Sequence, residues 1–124
     1  MAIPIPKLTW QGKEVHFTYP DSAVRYECIL ELLRKKSFPN SKDIVDLEVA
    51  RYGRDRDFRR EVTLRDITHL RMLLGVPIEY SKVRRGFYLT DPKWNMTVAQ
   101  LASIEMKKMY EFAASLPSVI PEIE

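Results

Sequence analysis

The sequence predicts an α+β fold, with three short helices leading into a two-stranded hairpin, a second hairpin in front of them and a further helix behind. Three observations carry that expectation. Leu8, Trp10, Val15, Phe17 and Tyr19 alternate with polar residues on either side of Gln11-Gly12-Lys13. Helical apolar spacing then recurs in three stretches between residues 22 and 74, interrupted at Phe38-Pro39-Asn40 and again at Gly53. Finally, Pro77 to Tyr80 and Phe87 to Thr90 are two extended runs around Ser81-Lys82-Val83-Arg84-Arg85-Gly86. A chain of 124 residues suits one domain. The expected division is a hairpin extension over 1–20, a central domain over 21–92 and a C-terminal helix within 93–124.

Each helix has its own local reasons. Asp21 or Ser22 after Pro20 can cap the first, which runs to about Lys36 with Val24, Cys28, Ile29, Leu32 and Leu33 directed inward. Arg34-Lys35-Lys36 then falls at the negative end of its dipole. Ser41 can cap the second, which holds Ile44, Val45, Leu47 and Val49 and ends near Tyr52-Gly53; residues 53–57 form a charged turn. In the third, residues 59–74, a rotation of about 100° per residue gathers Thr63, Ile67, Leu70 and Leu74 into one buried stripe. Gly75 supplies its stop. Behind the second hairpin, Thr97 and Gln100 form a capping box for the last helix.

Composition narrows the function classes. The longest apolar runs are too short to span a bilayer and the first ten residues lack the pattern of a signal peptide, so the expected location is the cytoplasm. Cys28 is the sole cysteine, which excludes an intramolecular disulfide and a thiolate metal cluster and suits a small buried hydrophobe. Gly12, Gly53, Gly75 and Gly86 are isolated, so no phosphate-binding glycine loop is present. His16 and His69 have no zinc-spaced companions, and no nucleophile elbow occurs. No enzyme activity, metal or cofactor is expected. Asp66, beside the buried stripe, is expected to bind an Arg or a backbone amide rather than act as a base.

Charge distribution says more than the net +3. Residues 1–50 hold 7 Lys/Arg and 7 Asp/Glu, residues 51–86 hold 10 and 5, and residues 87–124 hold 3 and 5. Positive charge therefore gathers around the third helix and the second hairpin, a distribution suited to an acidic partner. Opposite the buried stripe lie Glu61, Arg65, Thr68, His69 and Met72. Arg, Thr and His donate hydrogen bonds to base edges or phosphates, and two helices joined by a turn form a helix-turn-helix whose second member enters a major groove. The expected base readers are Arg65, Thr68 and His69. Arg59, Arg60, Ser41 and Lys42 are expected on phosphates, and Lys82, Arg84 and Arg85 at the hairpin tip on the backbone or minor groove.

Arg65-Asp66-Ile67, Leu70-Arg71, Leu74-Gly75-Val76-Pro77-Ile78-Glu79-Tyr80 and Arg85-Gly86-Phe87-Tyr88-Leu89 together resemble the N-terminal winged helix-turn-helix of the WYL-domain transcriptional regulators, related to the DeoR-like fold. The resemblance covers roughly residues 22–92 and implies a bacterial or phage DNA-binding module. Arg59-Arg60-Glu61-Val62-Thr63 departs from the family's usual Ser-x-Arg-Thr-Ile, and nothing after residue 92 resembles the WYL sensor domain.

The expected function is thus a sequence-specific double-stranded DNA-binding regulator, a repressor that occupies an operator. Val98, Leu101, Ala102, Met109, Phe112, Ala113 and Leu116 share one side of the last helix. That face either packs on its own domain or joins two copies, and a homodimer would suit an inverted repeat through Val98, Leu101, Met109, Phe112 and Leu116. The alternative function is a winged-helix module for protein association, with the basic hairpin merely solvated.

Overall fold

The computed structural model describes residues 8–10, 13–15 and 22–115. Strands β1 (Leu8–Trp10) and β2 (Lys13–Val15) pair antiparallel, with Leu8 opposite Val15 and Trp10 opposite Lys13. This is the N-terminal hairpin that the alternation predicts. Its expected continuation at Phe17 and Tyr19 lies outside the described residues, as do His16, Asp21 and Leu116.

Helix α1 (Ala23–Arg34) buries Tyr26, Cys28, Ile29, Leu30 and Leu33. Val24 does not join them. It is exposed. Ser22 stands at the N-cap, but its hydroxyl makes no capping bond and is buried; the Tyr26 N–H donates to the Ser22 carbonyl at 2.9 Å. The helix also ends two residues before Lys36, where a φ of 56° at Lys36 and 53° at Phe38 turns the chain away.

Helix α2 (Ser41–Tyr52) starts one residue earlier than its expected cap allows. Asn40 is the N-cap: its side chain accepts from the Asp43 N–H at 2.8 Å while the Asp43 carboxylate accepts from the Asn40 N–H at 3.0 Å. This reciprocal pair satisfies two amide donors, so Ser41 moves into the first turn and is buried. Ile44 enters the core as expected. Val45, Leu47 and Val49 are only half-buried, because Glu48 takes the innermost position of the second half of the helix.

Helix α3 (Arg60–Thr68) continues into a π turn over His69–Leu73, so residues 59–74 are not one uniform α-helix. The Leu74 N–H donates back five residues to the His69 carbonyl at 3.1 Å. Gly75, at φ +73°, then ends the helical segment, as its residue type predicts. Strands β3 (Ile78–Ser81) and β4 (Gly86–Leu89) form the second hairpin, each shifted by one residue from expectation, with Ser81 opposite Gly86.

The chain is therefore α+β, and α1 is its centre. Helices α2, α3 and α4 (Val98–Ser115) and strand β4 all contact it. Ile29, Leu30 and Leu33 of α1 meet Ile44, Ile67, Leu70, Val76, Ile78 and Leu101 in one core, each large aliphatic contributing about 1.5–3 kcal/mol by leaving water. The capping box at the start of α4 is present: the Thr97 N–H donates to Gln100 Oε1 at 2.8 Å and the Gln100 N–H to Thr97 Oγ1 at 3.2 Å. Among the described residues no helix is long and apolar enough to cross a membrane.

Candidate functional site

The inner side of α3 fixes how its outer side is presented. Val62, Thr63, Asp66 and Ile67 are buried. Asp66 accepts from Arg25 of α1 through both oxygens, Nε to Oδ2 at 2.7 Å and Nη2 to Oδ1 at 3.3 Å. This is the arginine partner that the sequence leaves unspecified. Burial pushes the Asp66 carboxyl above its ordinary range against the pull of Arg25, and Asp66 in turn holds the guanidinium charged despite burial. Glu48 of α2, 0% exposed, lies beside Thr63 and feels the charges of Asp66 and Arg25; burial raises it to about 7. Three helices thus meet at one buried polar cluster.

The outward face of α3 and the π turn carries Glu61, Leu64, Arg65, Thr68, Arg71 and Met72. Arg65 is exposed, as expected, and makes no ion pair with a described residue. Thr68 is exposed too, but its hydroxyl donates to the Leu64 carbonyl at 3.0 Å, so its proton is spent within the helix. His69 departs from expectation. Only 9% of it is exposed, because it stands about a quarter turn from Thr68, at the edge of the outward face, where packing decides the side. Leu64 and Arg71 are exposed here too, although at about 100° per residue they stand only about 80–100° from Thr63 of the stripe, so helical angle alone does not bring them out.

The expected phosphate contacts divide in the same way. Arg59 is exposed at the N-cap of α3, with extended backbone. Arg60 is exposed and donates from Nε to Ser41 Oγ at 3.1 Å. Ser41 is therefore a buried support for Arg60 and not a surface group. Lys42 is exposed and pairs with Asp46 one turn on, at 3.1 Å, a solvated pair of small energetic weight.

At the tip of the second hairpin Lys82, Val83, Arg84 and Arg85 are all exposed. Ser81 Oγ accepts from the Arg84 N–H at 3.0 Å, and the Arg84 guanidinium lies 5.2 Å from the Phe38 ring centre. Arg85 has a φ of 56°. Next to the tip β4 is pinned as well, since the Phe87 N–H donates to the Pro39 carbonyl at 2.8 Å.

The residues expected to join two copies do not form one open face. Leu101 and Phe112 are buried within the chain, Leu101 in the core between α4 and α1, because α4 satisfies its apolar stripe in cis. Val98 is half-buried and Met109 exposed. Met106, Met109 and Tyr110 form the open apolar part of α4, with Tyr110 at 71% exposure. Burial pushes the Cys28 thiol up to about 11, consistent with an inert core residue. Among the described residues no three of His, Cys, Asp and Glu are grouped to hold a metal ion. No protein-family model matches the chain, and no curated protein or solved structure matches it.

Proposed function

We propose that this chain is a cytoplasmic, sequence-specific double-stranded DNA-binding regulator of transcription, a repressor by occupancy, built on a winged helix-turn-helix similar to that of the WYL-domain regulators. Residues 59–74 enter the major groove, and the hairpin tip at residues 81–86 meets the backbone or minor groove. The observation that supports this best is the outward face of α3 and the π turn that follows it. Arg65 and Arg71 stand exposed on it without ion-pair partners among the described residues, while a buried Arg25–Asp66 pair locks its inner face. Cations held on a rigid element suit recognition of an acidic, grooved partner. Arg59, Arg60 and Lys42 supply phosphate contacts, and Arg65 reads a base, with guanine the best match for a bidentate guanidinium.

Selection from a random duplex pool tests the reading. Recovery of a defined motif is expected, and Arg65→Ala should cost about 1–3 kcal/mol on that motif and relax preference at one or two base pairs. A variant with full specificity would overturn the proposed placement of α3. Two copies on an inverted repeat are part of the proposal, joined through Met106, Met109 and Tyr110. The same open surface favours a second reading, a protein-association module. Salt separates the two, since phosphate contacts weaken steeply as salt rises and an apolar interface does not.

A further inference from the structure

The outward face of α3 carries more than cations. Leu64 is 47% exposed and Met72 51% exposed, large values for apolar side chains on a helix that buries its opposite side so fully. Thr68 stands between them at four-residue spacing. Because its hydroxyl proton is given to the Leu64 carbonyl, it offers the outside a methyl group and acceptor lone pairs, not a donor.

The π turn bears on how these three groups line up. In an α-helix a step of four residues overshoots one full rotation by about 40°, which moves Thr68 to one side of Leu64. A π turn needs more than four residues per rotation, so the next step, from Thr68 to Met72, falls short instead. The two offsets oppose each other. Leu64, Thr68 and Met72 therefore form a row close to parallel with the helix axis, about 10–12 Å long, or about three base-pair steps at about 3.4 Å each. Arg65 and Arg71 flank the row with positive charge, which selects a polyanion as the occupant over an apolar peptide.

Within the major groove only thymine carries a methyl group, beside its single acceptor. We infer that α3 and the π turn that follows it read thymine C5-methyl groups through Leu64, Thr68 and Met72, with Arg65 supplying the adjoining polar contact. The inference rests on the DNA-binding reading above. Covering one methyl group from water is worth about fourfold in affinity, so the preferred site holds thymines under the row and discriminates them from uracil.

The experiment uses the full chain and the duplex motif recovered by selection, prepared with thymine and with deoxyuridine at the positions under α3. Loss of about fourfold in affinity per methyl removed is expected, with an unchanged logarithmic salt slope because the phosphates neutralised are the same. Leu64→Ala and Met72→Ala should each erase part of that difference while retaining binding to both duplexes; both residues are exposed, so the fold tolerates the truncation. Equal binding of the two duplexes by a wild-type protein that still selects a motif overturns the methyl reading alone. A selected motif without thymine under α3 does the same. Failure to bind any duplex even at low salt overturns the DNA reading and this inference with it.

Discussion

Arg25 of α1 and Asp66 of α3 form a two-point buried ion pair, 2.7 Å on one arm and 3.3 Å on the other. The residues are 41 positions apart in sequence, so the pair fixes the rotation of α3 about its own axis from a distance no local rule spans. With Asp66 pointing inward at Arg25, Arg65 and Thr68 are left outward. Orientation of the candidate reading face is thus tied to a contact on its far side.

Removing one partner leaves an uncompensated buried charge. Arg25→Met or Asp66→Leu should each destabilise the fold by about 3–5 kcal/mol, and the Arg25→Met/Asp66→Leu double variant should recover most of that loss. Urea denaturation of the four proteins checks this. Losses that simply add would show that the pair is not coupled.

Glu48 makes stability depend on pH. Its folded value is raised by burial from 4.5 to about 7. A raised carboxyl stabilises the fold fully below its unfolded value, and that contribution fades as pH rises through the folded one. Stability should therefore fall from about pH 5 to about pH 8 by roughly 2–3 kcal/mol from this group. Glu48→Gln keeps the neutral shape and should flatten that part of the profile. Denaturant midpoints across the range provide the measurement, and a variant with the wild-type slope would clear Glu48 of the effect.

Gly86 admits a close approach of backbone to backbone. A Cβ there would sit 1.8 Å from the Phe38 carbonyl oxygen, which cannot swing aside as a side-chain end could. Gly86→Ala should force the 36–39 loop off β4 at a cost of about 1–3 kcal/mol. Loss of the 2.8 Å bond from the Phe87 N–H to the Pro39 carbonyl would appear as faster hydrogen exchange at Phe87. Unaltered exchange there would contradict the expected displacement.

Lys82, Arg84 and Arg85 give the hairpin tip its charge. Replacing all three by Gln should lower DNA affinity and shrink the logarithmic salt slope by about 0.9 for each phosphate that is no longer neutralised. Arg84 also lies against Phe38, so a stability loss of about 0.5–1 kcal/mol should accompany the change. Binding isotherms at several salt concentrations read the slope directly. An unchanged slope would remove the hairpin tip from the interface.

Local sequence settled the elements and much of their polarity. The α2 break near Gly53, the helix stop at Gly75, the Thr97–Gln100 capping box, both hairpins and the buried stripe of Thr63, Ile67, Leu70 and Leu74 were all legible there. These depend on backbone conformations and hydrogen bonds among residues a few positions apart, together with one-sided apolar spacing. Packing between elements settled the residues at the margins. His69 lies at the edge of its helix face and is buried; Ser41 gives up its expected cap to Asn40 and supports Arg60; Glu48 displaces apolar neighbours from the inner side of α2. Leu101 and Phe112, equally suited to a second copy, are enclosed within the chain. Helical angle fixes where such side chains point but not what stands opposite them. That depends on which elements meet, and here α1, with Arg25 reaching Asp66, sets the arrangement.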